Sequence, residues 1–365
     1  MKKRPFAPGL LLVAGAWLFL SVFCWLKPDG EISFSERRKL AEFPELSRRS
    51  ILSGKFASDF EAYSLDQFPA RDSFRILQSL SAFYLFGQMD NHGIYLQEGF
   101  AAEIEYPLDR SSVEAAAEKL KSLYERYIRG KTDRVYFSVI PDKNYYLAEE
   151  GGYPAMDYPE LFSIMKGKMD FAEYLDLTGF LSPEDYYRTD THWRQEKISD
   201  VASFLAGSMG TALPGEYRAE KVREDFRGVY YGQAALPMEG EKIFILHSSI
   251  IDRCEVCRGD TEKISGVYDL DKLEGRDPYE VYLSGAAPVI RIANPLCGKE
   301  RRLVLFGDSF ASSLAPLLAE GYSEITLVDI RYIDSSLIGD YADFQDADVL
   351  FLYSTLLLNS SESMR

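Results

Sequence analysis

The end of the chain alternates uninterrupted apolar runs with helical stretches, and few folds accommodate that pattern. Arg302-Leu-Val-Leu-Phe306 is a short apolar strand and Ala311 to Glu320 a helix stopped by Gly321. Ile325 to Ile330 is the next strand, and Val349 to Tyr353 a third after a polar stretch. A half-exposed strand alternates apolar and polar residues, whereas a run that is apolar throughout is covered on both faces. Strand–helix–strand repetition of such runs predicts an α/β fold with a central parallel sheet between helical layers. Ligand sites in these sheets gather at the carboxyl ends of strands. Gly307-Asp308-Ser309 occupies one such end.

Upstream the same logic applies. Arg134 to Ile140 reads as a buried strand ending at Pro141, and Pro141-Asp142-Lys143-Asn144 as a strand-to-helix turn. The spacing predicts a helix over 111–129, capped by Ser111 or Ser112 and stopped by Gly130, with Ala117, Leu120, Tyr124 and Ile128 on its buried face. A short strand is expected at 171–177 and a helix over 194–206, with Ile198, Val201, Ala202 and Leu205 on one side. Residues 211–300 read as a β-rich insertion of short strands and Gly/Pro turns. Residues 51–88 read as helical, with Phe56, Phe60, Tyr63 and Leu65 on one apolar face. Pro69 breaks that pattern, and Phe74, Leu77, Leu80, Phe83 and Tyr84 resume it. The implied organisation is an anchor or signal over 1–30, a linker and helical region over 31–90, and a catalytic domain over 91–365.

Residues 5–26 carry no charge and follow Lys2, Lys3 and Arg4. At a rise of ~1.5 Å per residue the run Leu10 to Leu26 is long enough to cross a hydrocarbon layer of about 30 Å. Trp17 and Trp25 suit a membrane setting, with Trp25 as an interfacial anchor. No small-x-small cleavage site follows the run, so an uncleaved membrane helix is expected rather than a cleaved signal peptide. Lys27, Arg37, Arg38 and Lys39 blur the charge bias, but the remainder of the chain is placed outside the cytoplasm. Cys24 follows Phe23, not the small residue of a lipoprotein site. The net charge of −16 argues against a nucleic-acid partner, which needs a basic footprint. Cys254-Glu-Val-Cys257 lacks the second CxxC of a zinc site; a local disulfide is allowed, with Cys297 left over. No metal-ligand spacing and no Gly-rich phosphate loop is present, so neither a metal nor a cofactor is expected.

Two motifs carry chemistry. Ser309 sits between a buried strand and a helix start, where backbone N–H groups and the positive dipole end favour an oxyanion. The competing reading is that Asp308 or Ser309 merely caps that helix. Asp190-Thr191-His192-Trp193 contains one of only three histidines. In an extended segment residues i and i+2 face the same side, so Asp190 can orient His192 and Trp193 can pack beneath the imidazole. Here too a cap is the competing reading, with Asp190 or Thr191 opening the next helix. Ser309, His192 and Asp190 together supply the hydroxyl, imidazole and carboxylate of a serine triad. Arg331 and Tyr353 follow or end neighbouring strands, and Lys143 follows Pro141. Each is a substrate or oxyanion candidate, with an ion pair, a core tyrosine or a strand-end cap as the alternative. His247 reads as a satisfied sheet histidine and His92 as an exposed turn residue.

These residues resemble the DHHW protein family and its neighbours, the alginate O-acetyltransferase-like proteins with SGNH-hydrolase-like domains. The resemblance spans about residues 33–355. It includes Ser35-Glu-Arg-Arg-Lys-Leu40, Asp66-Gln-Phe-Pro-Ala-Arg-Asp72, Pro141-Asp-Lys143, Asp190-Thr-His-Trp193, Gly307-Asp-Ser-Phe310 and Asp329-Ile-Arg-Tyr332. Thr191 stands where the family name spells histidine, outside the triad. The resemblance implies an SGNH-hydrolase-like three-layer sandwich with Ser309 as nucleophile, His192 as base and Asp190 as orienting acid. The order is acid, base, nucleophile, whereas ordinary SGNH hydrolases place the serine first. For the oxyanion asparagine of those enzymes, Asn144 and Asn294 are the candidates. The resemblance further implies O-acetylation of a cell-surface or exported polysaccharide, supplied by a membrane-bound O-acyltransferase. A carbohydrate O-acetyl esterase with the same residues, and a non-catalytic glycan-binding or assembly protein, remain open alternatives.

Overall fold

The computed structural model describes residues 8–259, 265–298 and 300–364, without the side chains of Pro8 and Trp25. Lys2, Lys3, Arg4 and the Trp25 side chain therefore lie outside the described residues. The chain divides into two compact units, residues 1–91 with 232–237, and residues 92–231 with 238–365.

In the first unit, α1 (Pro8–Leu26) is a helix without a charged residue. Among the described residues no helix is long and apolar enough to cross a membrane. A two-residue ladder, β1 (Ile32–Ser33) with β2 (Arg38–Lys39), precedes α2 (Arg48–Leu52), α3 (Lys55–Asp66) and α4 (Arg71–Leu80). Ion pairs hold these pieces together. The Arg38 guanidinium donates to both Asp66 oxygens at 2.7 and 2.6 Å, and Arg71 pairs with Glu36 at 2.5 Å. The Ser-Glu-Arg-Arg and Asp-Gln-Phe-Pro-Ala-Arg segments thus meet as a structural network. The amphipathic helices form as expected, but their apolar faces are not buried. Leu65, Phe74 and Leu77 are exposed, and Tyr84, Leu85 and Phe86 are 78%, 74% and 71% exposed.

The second unit opens with a hairpin, β3 (Ile94–Gln97) with β4 (Phe100–Glu103). Then α5 (Arg110–Leu123) leads to β5 (Val135–Ile140), α6 (Lys143–Gly151), α7 (Tyr158–Lys168) and β6 (Glu173–Tyr174). The helix α5 is capped by Asp109, which accepts the Ser112 N–H, rather than by a serine. Next come α8 (Ser199–Ser208), the ribbon β7 (Arg218–Phe226) with β8 (Glu241–His247), and α9 (Val229–Ala234) between the two ribbon strands. β9 (Glu255–Arg258) and β10 (Val289–Ala293) follow. The chain closes with β11 (Arg302–Gly307), α10 (Ala311–Leu318), β12 (Glu324–Val328), α11 (Ile338–Tyr341), β13 (Asp348–Ser354) and α12 (Thr355–Asn359).

Seven strands form the central sheet in the order β6-β5-β13-β11-β12-β10-β9. The five from β6 to β12 are parallel, and β10 and β9 extend one edge antiparallel. Part of the expected insertion therefore belongs to the main sheet, and among its described residues only the β7–β8 ribbon is a separate sheet. Strand residues alternate between two cores. Leu303, Leu305, Leu350 and Leu352 pack with Val201 and Leu205 of α8 and Leu314 and Leu318 of α10. Val304, Phe306, Val349 and Phe351 pack with Val113 and Leu120 of α5 and Leu161 of α7. Two buried faces explain why these strands are apolar at every position. At the opposite end from the site, buried Asp348 accepts from Arg134 at 2.5 Å, Arg301 at 2.8 Å and the Tyr322 hydroxyl at 2.8 Å, pinning the strand starts. All four cysteines are free thiols.

Candidate active site

The carboxyl ends of β5, β11, β12 and β13 share one edge of the parallel sheet. Ser309 follows β11 there, half-buried, in the turn before α10. Gly307 is not in a left-handed conformation. A Cβ on it would lie 2.8 Å from the Ala311 Cβ and 3.1 Å from the Leu352 carbonyl oxygen. Its role is close packing of the turn against β13. Asp308 closes a local turn: Oδ1 accepts the Phe310 N–H at 3.1 Å, while the N-cap of α10, Phe310, has no side-chain cap. The Asp308 Oδ2 accepts the Ser354 N–H at 2.9 Å and hydroxyl at 2.7 Å, joining the ends of β11 and β13. The Ser309 hydroxyl likewise caps nothing and instead faces His192. Among the described residues the Ser309 backbone N–H has no hydrogen-bond acceptor.

The segment carrying Asp190 and His192 is a bend, not the extended stretch expected. Tyr186 and Trp193 form an isolated antiparallel bridge, and the Tyr187 N–H donates to the His192 carbonyl at 3.0 Å, closing a tight loop between them. Inside it the Asp190 Oδ1 accepts the His192 backbone N–H at 3.1 Å and sits 2.6 Å from Nδ1. An ionised carboxylate only accepts, so Nδ1 carries the proton and Nε2 is left as acceptor. The Ser309 Oγ lies 2.8 Å from Nε2. Asp190 is fully buried and His192 8% exposed, so the relay is shielded from water except near the serine. The Asp190 Oδ2 accepts the Val229 N–H at 2.9 Å. A Cβ on Gly228 would lie 2.3 Å from the Asp190 Cβ and the Thr189 carbonyl oxygen, so only glycine lets that linking segment approach.

The helix expected from 194 begins at Ser199. Residues 195–197 form a 3-10 turn instead, because the buried Gln195 amide is drawn into the core. Gln195 donates to the Ser313 carbonyl at 2.8 Å and accepts from the Leu246 N–H at 2.9 Å and the Tyr268 hydroxyl at 3.0 Å. With the helix start displaced, Asp190 and Thr191 cap nothing, and the competing reading of the motif falls away. Trp193 does not lie beneath the imidazole. Its indole N–H donates to the Ser313 hydroxyl at 2.8 Å and the Phe310 carbonyl at 3.1 Å. Tyr279 stacks on the imidazole instead, with centroids 3.9 Å apart and planes 11° from parallel.

The other candidates have structural partners. Lys143 is buried and donates to the carbonyls of Ala101, Tyr187 and Arg188, so it faces the protein rather than a substrate. Burial pushes its ammonium down to about 7. Asn144 is buried too: its Oδ1 accepts the Tyr95 hydroxyl, and its Nδ2 faces the Pro154 carbonyl and the Tyr158 hydroxyl. Asn294 lies at the end of antiparallel β10, donating to Ala319 and accepting from Leu296. Neither asparagine has a free amide for an oxyanion. Arg331 forks onto Asp329, with Nη2 and Nε at 2.6 and 2.9 Å from its oxygens, so it is a structural ion pair. Burial opposes the Arg331 charge, but its bonds to Asp329 raise its pKa overall. Tyr353 is a core residue whose hydroxyl has no partner among the described residues. His247 sits 2.6 Å from Asp252 and 3.3 Å from Glu220, and His92 is exposed. Among the described residues no three His, Cys, Asp or Glu side chains are grouped to hold a metal ion.

No family model matches the chain, and no curated protein matches it. Solved structures do. A DHHW family protein from Eubacterium siraeum superposes with a TM-score of 0.60 at 18% identity, covering 75% of this chain and 95% of that one. The chain has that protein's fold. Bacillus cereus PatB1, solved with a sulfonyl adduct, matches at 0.55 and 16% identity over 73% of this chain and 95% of its own. The O-acetyltransferase domain of Pseudomonas putida AlgJ matches at 0.45 and 10% identity, over 73% of this chain and 92% of its own, too remote to carry an argument. At these identities the likeness is one of fold. Within it, the sequence does not reveal Tyr279 and Glu241, which support the imidazole arm from distant points in the chain, or Gln195, which ties the segment just after His192 to β8 and α10. The only local sign of Tyr279 is the pair of tyrosines at 279 and 282.

Proposed function

We propose that the protein is a serine-dependent O-acetyltransferase of SGNH-hydrolase-like type acting on an exported or cell-surface polysaccharide. The observation that carries this reading is the unbroken hydrogen-bond chain Asp190–His192–Ser309, at 2.6 and 2.8 Å. In the first half-reaction His192 Nε2 takes the Ser309 proton as Oγ attacks an acetyl carbonyl. The same nitrogen then protonates the departing group, leaving an acetyl ester on Ser309. In the second, His192 takes the proton of a sugar hydroxyl as it attacks the ester carbonyl, then returns that proton to the departing Ser309 Oγ, which regenerates both groups. The Ser309 N–H is available to the oxyanion in both steps. Buried Asp190 stabilises the imidazolium formed each time. The sequence resemblance to alginate O-acetyltransferase-like proteins supplies the acetyl group and the glycan in this reading, and a membrane-bound O-acyltransferase as donor.

The test is acetyl transfer from an artificial aryl acetate, followed with and without polysaccharide acceptors. Acetylated polymer and its absence with Ser309→Ala support the transferase. Free acetate released as fast with no polymer modified makes the protein an esterase. No turnover and no covalent acetyl on Ser309 favours a non-catalytic glycan-binding role.

We further propose that α1 anchors the chain in a membrane with the second unit outside the cytoplasm. The uncharged α1 and the exposed Tyr84, Leu85 and Phe86 of the same unit support an apolar neighbour for that unit. The full-length protein should stay with membranes through alkaline carbonate washing, and its release into the wash would refute the anchor.

A further inference from the structure

The bend that presents Asp190 and His192 takes backbone bonds from the Ala101 N–H at the Arg188 carbonyl and from the Tyr230 N–H at the Thr189 carbonyl, at 2.8 and 3.0 Å, and is held besides by two ions of opposite sign. Lys143, at the start of α6, is 2% exposed. Its Nζ donates to the Tyr187 carbonyl at 2.8 Å, the Arg188 carbonyl at 3.3 Å, and the Ala101 carbonyl of β4. The Tyr230 ring of α9 lies 4.9 Å beneath it. Glu241, at the start of β8, takes the complementary groups. Its Oε2 accepts the Arg188 N–H at 2.7 Å, and its Oε1 accepts the Thr189 N–H at 2.8 Å and hydroxyl at 2.7 Å. The cation thus holds carbonyls of the bend and the carboxylate holds its amides, immediately before Asp190. We propose that Lys143 and Glu241 are positioning residues that clamp residues 187–189 and thereby hold His192 Nε2 against Ser309.

Neither ion touches the serine, so each acts through the bend. A methionine at 143 would fill the space and donate nothing, leaving buried carbonyls unpaired. A glutamine at 241 presents one oxygen and one NH₂, so one side of its fork would confront an N–H instead of accepting it. Lys143 is the more sensitive partner. Burial pushes its ammonium down to about 7, against Glu241, Asp190 and Asp142, which favour the charge. An ammonium has one N–H for each of the three carbonyls, and a neutral amine has only two. Raising the pH through about 7 therefore removes one strut of the clamp.

This assignment rests on the proposed relay, and the rate of covalent labelling of Ser309 by a sulfonyl fluoride tests both. Labelling should slow at least tenfold in Lys143→Met and Glu241→Gln, with circular dichroism unchanged. In the wild type the rate should decline as pH rises through about 7, and Lys143→Met should lack that decline. Should Lys143→Met fail to fold, the wild-type pH profile and the partly exposed Glu241→Gln decide. Labelling within twofold of wild type in the folded variants, with no wild-type decline, overturns the clamp and leaves the relay standing. Absence of Ser309 labelling in the wild type overturns the relay and the clamp together.

Discussion

Ser309 and His192 meet within hydrogen-bond distance but are delivered by very different means. Ser309 leaves β11, which has parallel neighbours on both sides and two hydrophobic cores against its faces. Its position is an outcome of the sheet itself. His192 rides on a bend outside the sheet, tied by side chains from α6 and β8, by single backbone bonds from Ala101, Val229 and Tyr230, and by the Tyr279 ring. The difference teaches that the fold positions the nucleophile, while a few polar contacts position the base. Such contacts lose their benefit steeply when one partner is removed, since the other stays buried and unpaired. Substitutions near the serine should therefore register as stability, and substitutions near the histidine as reactivity.

A matched pair of glycine substitutions would break or sharpen that contrast. The larger effect is expected from Gly228→Ala. The new methyl would meet the backbone of Thr189 and Asp190, and a displacement of about 1 Å at a catalytic group can cost on the order of a hundredfold in rate. Ser309 labelling of the folded protein should fall by that order, and the thermal midpoint should drop as well, because the clash is with backbone. The smaller effect on rate is expected from Gly307→Ala, where the clash is with the Ala311 side chain and the Leu352 carbonyl inside the sheet. Overpacking of this kind costs about 1–3 kcal/mol of stability, so the melting temperature should drop while labelling below it changes only a few-fold. Equal effects of both substitutions on both readouts would erase the distinction between the two regions.

The same contrast explains what could be read from the chain alone. The strands around Ser309 were legible because burial on both faces writes an apolar residue at each position from Leu303 to Phe306 and from Val349 to Tyr353. The nucleophile turn and its neighbouring helix are local, so their spacing sufficed. The Asp190–His192 pair was legible as chemistry but not as geometry: the bend depends on Glu241 and Lys143, which lie far away in sequence. The place of Lys143 after a strand marks it as a site candidate. Its inward orientation depends on carbonyls of β4 and the bend, which no local pattern encodes. The helix boundary at 194 moved to 199 for a similar reason, since Gln195 satisfies partners on β8 and α10. In the first unit, periodicity correctly marked amphipathic helices but carried no information on what covers their apolar faces.

The account stands on His192 drawing the proton from Ser309. The most direct measurement is the site and rate of sulfonyl fluoride modification, read by mass spectrometry of the intact protein and its peptides, in wild type, His192→Ala and Ser309→Ala. The account predicts one adduct on the Ser309 peptide of the wild type, about a thousandfold slower modification without the imidazole, and none without the hydroxyl. Equal labelling of wild type and His192→Ala, or an adduct that persists in Ser309→Ala, would contradict it.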